Sequence, residues 1–500
     1  MLAGGLVLRD AGSEPERLDV VIRDGRIADL LPPDAPLPDT AERLDVAHHL
    51  VMPGLVNAHY HSHDVLARGL FEDIPLEVWI ALAILPPNRP FCAREIRLRT
   101  LLGAAENLRN GTTLVQDMLG CGPGSEPMIA AALDAYEEIG IRCVMGLQIG
   151  NRAAIDCLPG MRDTLPETLQ PLLSPPQPDA GTLLRFVEDG LDFGRAPTIH
   201  WAIAPGAPQR CDLDLLAGLG ELARRHGLPL VTHVNESRLQ VFLARELYGR
   251  HGGSVLDYLE AAGVFDRRLL MAHGVWFSDA EIARIADAGA AVATNPASNL
   301  KLKNGIAPHG ALHAAGVRLA LGCDNVSAGD GQNMFEAMRL LALLASGHGA
   351  GSAVLGAREV LHAATQGGAD ALGLGDSIGS IAVGRHADLA VLDLDDIAFL
   401  PRNDTVRQLV YAQSGRGVRH VLVDGRMVLR DGAPARLDWS NIVAEAGDLA
   451  ARLRTDYRAH FDRMAPVVPH IAELVRRQAA RPLPYTRWMG AAEQQPAYDR

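Results

Sequence analysis

The sequence predicts a (β/α)₈ barrel with a small composite β-sandwich domain built from both chain ends. Three observations predict it. Eight short apolar runs alternate with amphipathic stretches of helical length across residues 51–375. That rhythm marks a parallel α/β array, and eight strands close a barrel. Two stretches at opposite ends look alike: Leu18–Leu31 turns at Asp24-Gly25-Arg26, and Val418–Leu429 turns at Asp424-Gly425-Arg426. An Asp-Gly between strand-like runs is a strong hairpin signal. Finally, 500 residues with 48% hydrophobic and 21% charged composition describe a globular chain with room for a large core.

The runs are Val51–Ala58, Thr112–Gln116, Ile141–Leu147, Thr198–Ala204, Pro229–Thr232, Arg268–Ala272, Ala290–Thr294 and Val317–Gly322. Between them lie Ala/Leu/Arg/Glu-rich segments such as Leu213–His226 and Asp279–Ala288, which read as helices. A Pro- and Leu-rich stretch, Leu158–Asp179, reads as an insertion over one face. The segment Gly379–Leu394 adds strand pattern to the small β-structure, and Ile442–Met464 is helical. The expected division is therefore 1–50 and 376–435 for the composite β domain, 51–375 for the barrel and 436–500 for a helical tail. That tail is expected to pack on the barrel or on a neighbouring subunit, in a homodimer or higher homo-oligomer.

Net charge is −13, which disfavours a phosphate backbone as partner. The six cysteines are scattered with no Cys-x-x-Cys pair, so neither a disulfide framework nor a thiolate zinc knuckle is expected. Neither a signal-peptide pattern nor a run of about 18 apolar residues is present. A cytoplasmic, membrane-free setting follows as the expectation.

Chemistry gathers just after the runs. Run one ends in Asn57-Ala58-His59-Tyr60-His61, and run five in Thr232-His233-Val234-Asn235-Glu236. Run six ends in Met271-Ala272-His273, and run eight in Gly322-Cys323-Asp324-Asn325. Barrel active sites sit at the C-terminal ends of the strands and draw on several of them. Residues i and i+2 of a strand share a face, so His59 and His61 can bind one ion together. With His233 and Asp324 they make a His₃Asp set. Such a set suits a divalent metal, Zn²⁺ foremost and Fe²⁺, Mn²⁺ or Co²⁺ compatible, with a position left for water. A lone histidine near a strand end is usually structural; four strand ends converging are not.

Glu236 stands three residues past His233, where a carboxylate can move the proton of an activated water to a leaving group. His273 is open to ligating a second metal, orienting the water or stabilising an oxyanion. A two-metal site needs a bridging ligand, typically a carboxylated lysine after strand four. Only Lys301 and Lys303 occur in the whole chain, and run four ends Ala204-Pro205-Gly206. One metal ion is favoured.

These motifs resemble the amidohydrolase superfamily, in the branch of cytosine, guanine and S-adenosylhomocysteine deaminases and triazine hydrolases. The matching text includes PGLVNAHYHSH (Pro53–His63), RGLFEDIPLEVW (Arg68–Trp79), THVNES (Thr232–Ser237) and AHG (Ala272–Gly274). It continues through NPASNLKLKNGIAPH (Asn295–His309), LGCDNVSAGDGQNMF (Leu321–Phe335) and GSIAVGRHADLAVLD (Gly379–Asp393). The resemblance implies metal ligation by His59, His61, His233 and Asp324, with Glu236 as proton shuttle and His273 orienting water or substrate.

Two departures bear on the substrate. Purine-type deaminases of the branch usually carry Pro-His-Ala/Ser-Pro after strand four, where this chain has Pro205-Gly206-Ala207-Pro208. The usual histidine before Asn-Pro or Cys-Pro after strand seven is Thr294. Both positions are pocket candidates, with His63, Trp79, Trp201 and Asn325. For His63 a structural role stands beside a pocket role, and for the two tryptophans a place in the core.

The function expected is a mononuclear metal-dependent hydrolase that attacks an sp² carbon of a small nitrogen-rich molecule. The two departures lean it toward an amide, urea or carbamate-like C–N bond. Deamination or dechlorination of a nitrogen heterocycle is the alternative, and a non-catalytic binding barrel a distant one. A nucleic-acid-editing zinc deaminase would need His-x-Glu with Pro-Cys-x-x-Cys, which is absent.

Overall fold

The computed structural model describes residues 1–33, 35, 42–85, 92–193, 195–347 and 355–488. Eight parallel strands follow one another around a barrel: β1 (Leu55–His61), β2 (Thr112–Gly120), β3 (Arg142–Ile149), β4 (Ile199–Pro205), β5 (Leu230–Val234), β6 (Leu269–His273), β7 (Ala291–Thr294) and β8 (Arg318–Leu321). Just beyond β8, Asp324 and Asn325 pair in parallel with Tyr60 and His61 of β1. That pairing closes the ring.

Side-chain size decides which face of each strand turns inward. Val56, Ala58, Val144, Ala202, Ala204, Ala293 and Ala320 fill the barrel axis. The larger alternates, such as Tyr60, Met145, Ile203 and Met271, pack outward under the helices. Trp201 follows this parity: it lies at the start of β4, beside Ala202, and packs with the outer layer. The expectation of Trp201 near the substrate is therefore corrected, since catalytic mouths lie at the other end of the strands. Helices Leu213–His226 and Asp279–Ala288 occupy the spans the sequence predicts. Asp212 caps the first by accepting from Leu215 N–H, and a Ser278/Glu281 capping box starts the second. Glycines in the left-handed region, Gly227 and Gly289, stop them.

The first apolar run is two strands, which corrects the reading of Val51–Ala58 as one. His49–Pro53 belongs to the other sheet and β1 to the barrel, with Gly54 between them. Both strands are buried along nearly their whole length, so hydropathy gives no sign of the break. A β-carbon on Gly54 would lie 2.1 Å from Thr113 Oγ1, so only glycine allows the chain to cross there.

The second sheet joins the two chain ends. Leu389–Asp393 runs antiparallel to His49–Pro53, which is parallel to Leu2–Val7. The sheet rolls so that its two hairpin turns meet: a β-carbon on Gly25 would lie 2.6 Å from Asp424 Oδ1. Arg142 of β3 ties barrel to sheet through a bidentate pair with Asp388, 2.7 and 3.0 Å. Both side chains are buried. Burial opposes the Arg142 charge, but Asp388 more than restores it.

Three helices roof the C-terminal end of the barrel. Helix Leu76–Ala83 lies directly on the mouth, and helices Trp439–Met464 and Val468–Ala479 pack above it. The predicted insertion joins them, with Met161, Leu165 and Leu173, and Ile155 just before it, packing against Val78, Met464 and Ile471. No described helix is long and apolar enough to cross a membrane.

Removing one partner of a buried pair leaves an uncompensated charge, costing about 3–5 kcal/mol. Asp388→Ala should lower unfolding free energy by about that amount in urea denaturation, because Arg142 stays buried.

Candidate metal centre

β1 reaches the mouth with a kink. Val56 pairs with Leu114 and Asn57 with Val115, but the register against β2 shifts before Tyr60 meets Asp117. Such a bulge re-aims side chains. Val56 and Ala58 face the barrel axis, as simple alternation requires; after the shift His59 and His61 face it too, and Tyr60 turns outward.

The imidazoles meet around Asp324. His59 Nε2 lies 3.4 Å and His61 Nε2 3.5 Å from Asp324 Oδ1. His61 Nδ1 is 2.8 Å from the Met118 carbonyl, and His233 Nδ1 is 2.5 Å from the Gly206 carbonyl. A carbonyl only accepts, so both Nδ1 atoms carry the proton and both Nε2 atoms present lone pairs. These two lone pairs face each other across 3.2 Å. His59 and His61 are each only 1% exposed, and Asp324 3%. His59 Nε2 and Asp324 Oδ1 are buried with no hydrogen-bond partner among the described residues. The ligand atoms of His59, His61, His233 and Asp324 all lie within 4.8 Å of one another. Converging lone pairs out of water repel unless a cation lies between them, and three imidazole nitrogens with one carboxylate suit a divalent ion. The residues fit a metal.

Electrostatics agree with that assignment. Burial, then the neighbouring imidazoles, hold His61 and His233 well below the ordinary histidine range. Both are neutral and ready to ligate. Burial works against the Asp324 charge, but His273, His59 and His61 outweigh it and keep the carboxyl well below its usual value.

Glu236 and His273 complete the cluster from the opposite side. Glu236 Oε2 lies 3.6 Å from His273 Nε2, which is 3.9 Å from Asp324 Oδ2. Asn304 Nδ2 donates to Glu236 Oε1 at 2.9 Å, leaving Oε2 toward the cluster. Burial, with the nearby charges of Asp324 and Glu77, raises Glu236 well above the ordinary carboxyl range. His273 Nδ1 donates to Asn299 Oδ1 at 2.9 Å, and burial lowers the ring to about 4. Glu236, His273 and Asp324 form a second triad of possible ligands sharing Asp324. Asn235, His273 and Asp324 sit at φ 47°, 73° and 63°. Left-handed backbone at non-glycine residues gathers where a site requires it.

The pocket candidates divide. His63 stands beside the cluster, its ring 5.0 Å from that of His61 and its Nε2 3.3 Å from Asn325 Nδ2. Trp79, 7% exposed, is in the roof helix and donates to Ser327 Oγ at 3.0 Å. Gly206 supplies its carbonyl to His233. Thr294 is fully buried and bonded to His309 at 2.8 Å. Trp201, as shown, is at the far end of the barrel. Neither lysine joins the ligands: Lys301 pairs with Asp330 and Lys303 with Asp73.

A layer of amides behind the ligands went unread in the sequence. Asn57 bonds Asn107, Gln332 and the Cys323 N–H, while Gln332 donates to the Asp324 carbonyl. A polar residue inside the apolar run Val51–Ala58 was the available signal for Asn57. Asn299 and Asn304 lie in the quoted motif Asn295–His309, but spacing alone could not pair them with His273 and Glu236.

Comparison with known proteins agrees with this geometry. Residues 50–428 match the Amidohydrolase family. The chain is 33% identical over 437 residues to 5-methylthioadenosine/S-adenosylhomocysteine deaminase of Syntrophobacter fumaroxidans, covering 86% of this chain and 93% of the relative. The chain belongs to the amidohydrolase family. It is a hydrolase acting on carbon–nitrogen bonds other than peptide bonds. The deaminase of the same name from Thermococcus onnurineus is 32% identical over 432 residues, covering 86% and 94%. Among solved structures, an adenosine deaminase from Xanthomonas campestris with bound zinc superposes with a TM-score of 0.77 at 29% identity, covering 91% of this chain and 98% of that one. Atrazine chlorohydrolase from Arthrobacter aurescens shares the fold, at TM-score 0.78 and 24% identity over 90% and 99% of the two chains.

Groups that orient active-site imidazoles typically contribute 10–100-fold. Asn299→Ala should reduce turnover by about that factor, leaving bound metal unchanged by elemental analysis.

Proposed function

We propose that His59, His61, His233 and Asp324 hold one divalent ion, Zn²⁺ first among candidates, and that the enzyme removes a ring-bound amino group from a nitrogen heterocycle. The observation that carries the metal is the pair of imidazole lone pairs facing each other at 3.2 Å inside the barrel. Zinc is supported by the donor set and by the zinc in the related adenosine deaminase. Bound there, such an ion supplies Lewis acidity that activates water as a nucleophile at neutral pH.

The chain's own residues then divide the proton work. Glu236 takes a proton on Oε2 and, because burial favours its neutral form, holds it for the departing nitrogen. Asn304 pins the other oxygen so that Oε2 alone does this. His273, its Nδ1–H committed to Asn299, presents an Nε2 lone pair that orients the attacking water. Releasing ammonia rather than an amine is supported by the relatives that are named deaminases. An amide, urea or carbamate bond, toward which the sequence leans, fits the same metal-dependent C–N hydrolysis and stands as the second reading. That second reading rests on Gly206 and Thr294 standing where histidines are usual, with Thr294 bonded to His309. Six cysteines, none paired with another, support a reducing, cytoplasmic setting.

Elemental analysis of the purified protein should return one equivalent of metal. Ammonia release should follow from a heterocyclic amine in a panel that also contains ureas, anilides and carbamates. Amine release from the latter compounds alone would contradict the deaminase reading. Glu236→Gln should keep its metal and lose about 10²–10⁴-fold in turnover, whereas Asp324→Ala should lose metal first. Equal metal loss in both would contradict the division of roles. Metal bound only by the folded chain also stabilises it: free zinc at about 100 times its Kd adds about 2.7 kcal/mol. Chelation should therefore lower the Tm of the wild type and leave that of the Asp324→Ala variant nearly unchanged.

A further inference from the structure

Beyond the roof helices the chain crosses the rim of the barrel mouth. Helix Val468–Ala479 packs on helix Arg238–Leu247, and Arg481–Trp488 then runs on as a strap without regular structure. The strap touches three loops in turn. After β5, Arg238 donates to the Arg481 carbonyl. After β6, Tyr485 Oη donates to the Trp276 carbonyl at 3.2 Å, and the Arg487 guanidinium to the Phe277 carbonyl at 2.5 Å. After β7, Ile306 N–H donates to the Arg487 carbonyl at 2.8 Å. That last contact needs a glycine beside it. Gly305 sits at φ 111°, and a β-carbon there would lie 2.8 Å from the Arg487 oxygen.

Trp276 is the hub beneath the strap. It is fully buried, with the rings of Tyr485 and Trp488 at 6.3 and 5.9 Å. On its other side its Nε1–H donates to the Asn304 carbonyl at 2.6 Å, and its backbone N–H to the Asn235 carbonyl at 2.9 Å. Asn304 pins Glu236 Oε1, and Asn235 directly precedes Glu236. The strap therefore ends on the two loops that fix this carboxyl from either side. It lies beyond residues 50–428, the stretch that matches the Amidohydrolase family.

We propose that Tyr485 and Arg487 are positioning residues: the strap they anchor holds Trp276 and Asn304 in place, and through them Glu236. A carboxyl that hands over a proton must stay within hydrogen-bond reach, about 2.6–3.2 Å. Asn304 keeps Glu236 there only while its own loop is fixed, and irregular loops at a rim open locally unless something ties them. The inference rests on the reading of Glu236 as the proton carrier and adds what aims it.

Zinc-loaded, full-length protein serves for the test, as wild type, Tyr485→Phe/Arg487→Met, Asn304→Ala and the triple variant. Amide hydrogen exchange, read by mass spectrometry, needs no substrate. Peptides covering 233–238 and 300–308 should exchange about tenfold faster in the strap variant, as the loss of one or two hydrogen bonds allows, with zinc content unchanged. Ammonia release is then followed on adenosine, cytosine and guanine. The strap variant should lose about tenfold in kcat, within the range that a small misplacement costs, with KM nearly unchanged. In the Asn304→Ala background the same two substitutions should cost almost nothing more, because the strap acts through Asn304. Arg487→Lys, which keeps a donor for the Phe277 carbonyl, should recover part of the loss. Tyr485→Phe alone, nearly isosteric, should move exchange and kcat the same way by less, and it decides the matter if the double variant does not fold. Unchanged exchange in both peptides would overturn the proposal, as would zinc loss in the strap variant or a kcat loss that adds in full to that of Asn304→Ala. Glu236→Gln, assayed alongside, separates the two readings. Wild-type turnover in that variant, or ammonia from none of the three compounds, counts against the reading of the site, and the exchange result then decides the strap.

Discussion

Two lone pairs held face to face make the constraint on which the rest depends. His61 and His233 each spend their only N–H on a backbone carbonyl, so neither Nε2 can donate to the other across 3.2 Å. Out of water the contact is repulsive, and rotation of either ring would break a buried hydrogen bond. The chain therefore stores an arrangement that a cation relieves. Asp324 adds the negative charge that makes the cation welcome, and the imidazoles in turn keep Asp324 ionised despite its burial. Gln332 braces that acid by donating to its backbone carbonyl, and Asn57 holds the preceding Cys323 N–H, which fixes the candidate ligand among its partners.

Enclosure follows from the same requirement. Buried donors and acceptors act strongly only where bulk water is kept out. The roof helix Leu76–Ala83 is fixed at three points, each on a different loop of the mouth. Leu76 N–H donates to the Leu302 carbonyl at 3.1 Å and Trp79 to Ser327 at 3.0 Å, while Glu77 accepts from Ser237 at 2.5 Å. Ser237 directly follows Glu236, so the roof and the carboxylate proposed to carry the proton share one anchor. Glu77 also raises the affinity of Glu236 for its proton, since two carboxylates so close resist being charged together.

Much of the barrel was legible because size and polarity alternate along its strands. Each of the eight runs supplied a barrel strand, with ends displaced by at most four residues, and both named helices took their predicted spans. Legibility failed where two unlike strands share one apolar run, as at Gly54, and where parity had to be traced from a neighbour. Trp201 beside Ala202 carried that information: the small residue goes inside, so the tryptophan cannot. The four candidate ligands were readable because each lies at or just past the end of a run. The amides behind them were not, because Asn299 and Asn304 reach His273 and Glu236 only through the curvature of the barrel.

The placement of His59 beside His61 shows how an expectation can rest on an incomplete reason. Residues i and i+2 share a face, but that face is inward only because the register slips against β2 after Asn57. With Val56 and Ala58 already inside, an unbroken strand would have sent both histidines toward the helices and brought Tyr60 into the mouth. The bulge costs ladder hydrogen bonds, and the closing pair Asp324–Asn325 against Tyr60–His61 restores pairing on the other side of the strand. Ring closure and ligand placement are thus one structural event. The segment that completes the barrel also delivers the carboxylate to the histidines, so the metal-binding geometry can exist only in the closed fold.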